Sequence, residues 1–171
     1  NKNQLYPEGM PDLPSTDGPT NTEALYRKLD ETGVAYLDLH AVFREVDPEL
    51  LYFKTDSHWT SRGAALAADA ILNALGRESA YFAGPFADGT HRGDLYEMLY
   101  PTGTETEPDR VYAPGFGFSA SSDNPDSISI STASDAGEGT LLMYRDSFGR
   151  ALYPYLAEVY GEAFFSRKND Y

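Results

Sequence analysis

Two short stretches of this chain carry the residue types that acyl transfer requires: Thr55-Asp56-Ser57-His58-Trp59-Thr60, and Tyr144-Arg145-Asp146-Ser147-Phe148-Gly149 near the C-terminus. A serine hydroxyl is a poor nucleophile at neutral pH. It needs a base to take its proton during attack, and the base needs an acceptor that fixes its tautomer and stabilises its charge. Ser147, His58 and Asp56 can fill those three roles. Each stretch reads as a turn between an apolar strand and a following helix, where α/β folds present reactive side chains above the carboxyl ends of their strands. That setting also puts the Ser147 amide, and the Phe148 amide next to it, near a helix N-terminus, where N–H groups stabilise a developing oxyanion.

Each residue has a plainer reading. An Asp-Ser pair after a strand is commonly a helix cap, and a histidine beside a tryptophan can be a buried imidazole bonded to a carbonyl. Asp38-Leu39-His40 repeats the Asp-x-His spacing of Asp56 and His58 at another expected strand end, and its apolar neighbours favour a structural role. His91, close to Gly93-Asp94, could approach the site or sit in a polar loop, and the loop reading is favoured. Asp56, His58 and His91 could be imagined around a metal, but zinc needs three or four suitably arranged ligands and no helical His pair or cysteine supports a site, so no metal and no cofactor is expected. The chain has 13 Tyr and 9 Phe, which could stack on sugar rings, although burial is the commoner use of aromatics.

Composition narrows the partners. A formal charge of −14 with only 13 Lys and Arg argues against nucleic acid, because affinity for the phosphate backbone comes from cationic side chains. With no cysteine, disulfides and thiolate chemistry are excluded. No apolar run is long enough to span a bilayer. Asn1-Lys2-Asn3-Gln4 has neither the charged start nor the apolar middle of a signal peptide, so any export signal or anchor is expected upstream.

The elements that must position these residues follow from spacing. Residues 1–19, rich in Pro, Gly, Asp and Ser, read as an extended lead-in. Thr20 and Glu23 form a capping box for a helix that Gly33 stops. Residues 34–39 read as a buried strand, 41–45 as a helical turn and 50–53 as a second strand. Thr60 caps a helix over 61–75, ended by Gly76. Residues 80–139 form a loop-rich insertion, except for a strand over 127–132 whose alternation would bury Ile128 and Ile130 on one face. A strand over 140–144, a helix over 152–160 with Pro154 in its first turn, and a strand over 163–166 complete the pattern. Length and this alternation predict a single α/β domain over 1–171: a three-layer α/β/α sandwich with a mainly parallel sheet. The end of the chain just after a strand leaves open whether a last helix and strand follow.

Together the two motifs resemble the SGNH hydrolase-like domain of the alginate O-acetyltransferase family, the AlgX and AlgJ proteins and their relatives. Phe53-Lys54-Thr55-Asp56-Ser57-His58-Trp59-Thr60 with Gly63 is similar to the family's Asp-x-His-Trp-Thr block, and Asp146-Ser147-Phe148-Gly149 with Tyr155-Leu156 to its nucleophile block. Asn1-Lys2, Leu5-Tyr6-Pro7-Glu8 and Pro11 resemble the family's lead-in, and Gly93-Asp94-Leu95 a turn between the blocks. The resemblance implies a flavodoxin-like SGNH fold and a triad of Ser147 as nucleophile, His58 as base and Asp56 as its orienting partner. It implies an acetyl group moved through an acyl-enzyme from a donor to a polysaccharide acceptor, in a periplasmic or membrane-tethered protein supplied by a membrane-bound partner. Tyr153, Arg145 and Trp59 are the further candidates for lining the substrate or oxyanion site. The competing expectation is a catalytically silent polysaccharide-binding or scaffold module that keeps the fold.

Overall fold

The computed structural model describes residues 5–6, 18–47 and 51–168; most of the expected lead-in and Leu50 of the expected 50–53 strand lie outside them. The chain divides into two compact units, Asn1–Pro48 and Glu49–Tyr171.

In the first unit the capping box forms as expected. Thr20 accepts from the Glu23 amide while the Glu23 carboxylate accepts from the Thr20 amide, helix α1 runs Asn21–Thr32, and Gly33 ends it at φ 67°. The strand expected over 34–39 does not form. Val34, Tyr36 and Leu37 are exposed, and the Tyr36 ring stacks on Tyr26 at 4.9 Å. Asp38 ends the extended stretch because its carboxylate accepts from the His40 and Ala41 amides and starts helix α2, Leu39–Arg44. The second Asp-x-His pair is thus a helix cap, its carboxylate also holding the Tyr26 hydroxyl at 2.9 Å.

The second unit is built around helix α3 (Ser61–Ala74) and helix α5 (Gly149–Val159), which pack on each other. Four fully buried alanines of α3, Ala64, Ala65, Ala67 and Ala68, allow close approach. Gly63 is needed at the start of α3, where a Cβ would strike the Leu51 carbonyl. Strands β1 (Phe86–His91) and β2 (Glu107–Tyr112) form an antiparallel pair, joined through helix α4 (Asp94–Leu99). The 80–139 stretch is therefore more structured than its pattern suggests. Its polar hairpin lacks the apolar alternation that marks a strand in sequence.

A four-stranded sheet has the order β3-β4-β6-β5, from strands β3 (Ser119–Ala120), β4 (Ser129–Ala133), β5 (Thr140–Tyr144) and β6 (Glu162–Ser166). Only β5 and β6 are parallel; β4 runs antiparallel to both β3 and β6. The expected mainly parallel sheet is thus a mixed one, because β4, which comes from the polar stretch, pairs antiparallel with β6. Helix α5 packs on β4 and β6, over Ile130 and Phe165, which are fully buried. The opposite face of the sheet, with Leu142, Tyr144 and Phe164, is exposed, so within this second unit the described helices pack on one face of the sheet. Ile128 precedes β4 and is 60% exposed, so Ile130 and Thr132 supply the buried face instead of the two isoleucines. Helix α5 also starts earlier than expected, leaving Pro154 beyond its first turn and the Arg150 carbonyl without an amide partner four residues on.

This register predicts that Ile130→Ala costs about 2–5 kcal/mol through the cavity it leaves. Ile128→Ala should stay within about 0.5 kcal/mol of wild type. Urea unfolding of both variants checks the contrast, and similar losses would refute the register.

Candidate active site

The loop carrying Asp56 and His58 is clamped at both ends by one strand. Glu107 of β2 accepts from the Lys54 and Thr55 amides at 2.7 and 2.9 Å and from the Thr55 hydroxyl. Asp109 accepts from the Ser61 hydroxyl at 2.6 Å and the Ser61 amide at 3.2 Å. Two residues apart on a strand, these carboxylates share one face. Thr60, which accepts from the Gly63 amide at 3.0 Å, caps α3 directly after the loop. On the other side the Thr55 carbonyl accepts from the Leu95 and Tyr96 amides, both at 3.1 Å, and Gly93 lies so close to that carbonyl that no side chain fits.

These supports place Asp56, 3% exposed, among four donors. Its Oδ1 faces the His58 amide at 2.8 Å and His58 Nδ1 at 2.7 Å. Its Oδ2 faces the Asp94 amide at 2.9 Å and His91 Nε2 at 2.6 Å. Burial alone would raise the Asp56 pKa, but the hydrogen bonds from His91, Asp94 and His58 outweigh it and hold the carboxyl far below the ordinary carboxylate range. An ionised carboxylate only accepts, so His58 carries its proton on Nδ1 and leaves Nε2 free as a base. Asp94 Oδ2 lies 3.5 Å from the same Nδ1. Its carboxylate also accepts from the Ser57 amide at 2.8 Å and the Ser57 hydroxyl at 2.5 Å.

Ser147 is half-buried in the turn between β5 and α5. It shares with Asp56 and His58 the wall of one cavity of about 230 Å³, completed by Trp59, His91, Pro125, Phe148, Arg150 and Ala151. Phe148 joins the two loops: its ring centroid lies 5.0 Å from that of His58 and meets Trp59 edge-on at 5.2 Å. No direct hydrogen bond links Ser147 to His58 among the described residues. The Phe148 amide, one of the two expected oxyanion donors, donates to Asp146 Oδ1 at 2.9 Å.

The three further candidates separate. Trp59, 7% exposed, does line the cavity. Tyr153 is a core residue, packed on Phe165 and Phe118, and does not line it. Arg145, 6% exposed, lies across Gly149, donates through Nη2 to the carbonyls of Pro125 and Ser127 at 2.7 and 3.2 Å, and lines with Ser147 and Arg167 a second, neighbouring cavity. Burial and the nearby Arg167 lower its pKa. Its role in the structure is to tie the Pro125 loop to the Ser147 turn.

His91, for which the polar-loop reading is favoured over an approach to the site, bonds Asp56 and stacks on Phe53 at 4.0 Å. Asp56, His58 and Asp94 also bring ligand-type atoms within 4.8 Å of one another. Both Asp56 oxygens and the Asp94 carboxylate are already engaged by N–H and O–H donors, so this group reads as a hydrogen-bonded network. Among the described residues no helix is long and apolar enough to cross a membrane.

The sequence of residues 1–125 matches the family of the SGNH hydrolase-like domain, acetyltransferase AlgX. This chain belongs to that family. The matched stretch contains Asp56, His58 and His91, whereas Ser147 lies beyond it. No curated protein matches the chain. Among solved structures, a DHHW family protein from Eubacterium siraeum is similar at TM-score 0.72 and 15% identity, over 96% of this chain and 66% of that one. Bacillus cereus PatB1 is similar at TM-score 0.63 and 17% identity, over 96% of this chain and 70% of that one. The O-acetyltransferase domain of Pseudomonas putida AlgJ reaches TM-score 0.50 at 17% identity, over 94% and 58%. This chain thus spans about two thirds of the length of the first two, and at these identities the likeness is one of fold.

Two predictions follow from the supports of Asp56. A carboxyl whose folded pKa is depressed stabilises the folded state above its unfolded pKa of about 3.9, and that contribution is lost as pH falls through the folded value. Thermal unfolding of wild type and Asp56→Asn should therefore differ most near neutrality and converge in acid; a gap independent of pH would contradict the four-donor account. Gly93→Ala should push the Thr55 carbonyl away and destabilise by about 1–3 kcal/mol, measured by urea unfolding.

Proposed function

We propose that the chain is a serine-dependent O-acetyltransferase or acetylesterase acting on an extracytoplasmic polysaccharide. One observation carries this reading: the buried Asp56 carboxylate lies 2.7 Å from His58 Nδ1, and His58 shares one small cavity with Ser147. Membership of an acetyltransferase family supports the acyl chemistry, and the AlgJ domain of similar fold is an O-acetyltransferase. The polysaccharide acceptor, the acetyl donor, a membrane-bound supplier and the periplasmic or membrane-tethered location belong to the same reading and come from the family.

In the reaction the Ser147 hydroxyl oxygen attacks the acetyl carbonyl of the donor as His58 Nε2 takes the hydroxyl proton. Asp56 stabilises the imidazolium that results. The tetrahedral oxyanion collapses, the donor's alcohol leaves with the proton from His58, and acetyl-Ser147 remains. An acceptor sugar hydroxyl then attacks this ester while His58 again takes the proton, giving the acetylated sugar and free Ser147; water in place of the sugar gives acetate. The Ser147 amide is available to the oxyanion, and the Phe148 amide joins it once Asp146 releases it. Trp59, Phe148 and Ala151 form an apolar wall that strengthens the electrostatics of these steps.

The bond between Phe148 N–H and Asp146, with no direct hydrogen bond between Ser147 and His58 among the described residues, favours the second reading, a silent polysaccharide-binding module. Incubation with p-nitrophenyl acetate followed by intact-mass analysis separates the two. The first reading expects one acetyl group on the wild type and none on Ser147→Ala, with His58→Ala slowed by roughly 10²–10⁴-fold. A sulfonyl fluoride serves as a second electrophile, since PatB1 has been solved with a sulfonyl adduct. Wild-type protein left unmodified by both reagents, yet retaining glycan after Ser147→Ala, would establish the second reading.

A further inference from the structure

The acyl-transfer scheme gives His91 no step, although its ring is held as firmly as that of His58. One face stacks on the buried Phe53, at 4.0 Å and 19°, and Nε2 lies 2.6 Å from Asp56 Oδ2. Because the ionised carboxylate has acceptors alone, His91 must present Nε2–H. The backbone around this contact is shared with the loop it serves. His91 ends β1 opposite Glu107, the residue that clamps Lys54 and Thr55, and Phe53 lies three residues before Asp56. The same strand pair therefore fixes the Asp56 backbone and delivers the ring that holds its outer oxygen.

We propose that His91 is a positioning residue for the His58–Asp56 pair: its Nε2–H anchors Asp56 Oδ2, so that Oδ1 stays aimed at His58 Nδ1 and the carboxylate charge is shared between two rings. The proposal rests on His58 being the base for Ser147. His58 is faced by Asp56, Asp94 and Ser57 on its Nδ1 side, and Arg150, itself paired with Asp126 at 3.4 Å, lines the cavity it shares with Ser147. Asp56 is faced by the two imidazoles, and His91 by Asp56, with Glu107 as its cross-strand neighbour. Removing the His91 donor frees the carboxylate to turn and offers its charge undivided to His58. Both effects act on the rate: the productive orientation is populated less, and the imidazolium, which cannot act as a base, persists to higher pH.

Two readouts test this. The first needs no activity. With only three histidines in the chain, long-range ¹H–¹⁵N spectra assigned through His40→Gln and His91→Gln report which ring nitrogens carry protons near neutral pH. A proton on His91 Nε2 is expected, together with a changed His58 Nδ1–H signal in His91→Leu. An Nε2 without a proton, or an unchanged His58 signal, overturns the proposal. The second is acetylation of Ser147 by p-nitrophenyl acetate across pH. His91→Leu should be roughly 10–100-fold slower, with its acid limb displaced to higher pH. His91→Gln, which keeps an N–H donor at similar reach, should stay within roughly threefold of wild type with an unmoved limb, on the same reasoning of orientation. Equal slowing of both variants with no displaced limb would mark His91 as merely structural and overturn the proposal, as would wild-type rates in His91→Leu. Should His91→Leu not fold, His91→Asn, whose amide falls short of Oδ2, replaces it in both readouts. A wild type that forms no acetyl-serine sinks the proposed function instead, and the spectra still decide the role of His91.

Discussion

The interaction on which the rest depends is the burial of one charge. An ionised carboxylate removed from water costs several kcal/mol unless each oxygen finds donors, and Asp56 finds four. Two come from its own loop, through the His58 amide and ring. One is the Asp94 amide at the start of α4, a position where helix amides have no intrahelical partner. The fourth is His91 at the end of β1. The strand pair and the short helix in the middle of the chain are thus the source of half the donors that keep Asp56 charged. Without them the loop 54–60 would retain Thr60 as a cap but lose the clamps of Glu107 and Asp109 as well.

The Ser147 side is held by different forces. Its turn meets the His58 loop through Phe148, whose ring contacts His58 and Trp59, and through backbone ties to β6 such as the Arg145 amide on the Ser166 carbonyl at 2.8 Å. Aromatic contacts define distance less sharply than short hydrogen bonds to a charge. His58 and Asp56 are therefore fixed to each other, while Ser147 and His58 are only brought to the same cavity. For the proposed acyl transfer that asymmetry would suit a serine hydroxyl that must reach the carbonyl of a bound donor before its proton moves, since catalytic hydrogen bonds often tighten only when substrate is present.

What the sequence makes legible is local. The Thr20 and Thr60 caps, the Gly33 stop, β5 and β6 all come from residues a few positions apart, and each forms as read. The Asp56–His58 bond spans two residues and is legible for the same reason. The direction of β4 in the sheet is not, because it is fixed by pairing with β6 more than thirty residues away. Residues 34–39 mislead because apolar identity suggests burial, whereas Asp38 closes the segment with a helix cap. Tyr153 and Arg145 look like site residues from their nearness to Ser147; helix α5 turns the first into the core, while the second bonds backbone carbonyls and still shares a cavity wall with Ser147. His91 hides because its partner lies 35 positions away and its strand is polar. The only sequence trace of it is that a chain with three histidines spends one of them beside the Gly93-Asp94 turn.

A second carboxylate near the base raises the question of how much charge His58 meets. Asp94 Oδ2 lies 3.5 Å from His58 Nδ1, beyond hydrogen-bond length, while the Ser57 hydroxyl holds it at 2.5 Å and the Ser57 amide holds the other oxygen at 2.8 Å. The charge of Asp94 is thereby drawn toward Ser57, and its backbone amide is the part turned to Asp56. Asp56, for its part, meets two rings, His58 on Oδ1 and His91 on Oδ2. Both carboxylates are thus engaged by further donors, which leaves one directed hydrogen bond, between Nδ1 and Oδ1, to orient the His58 ring.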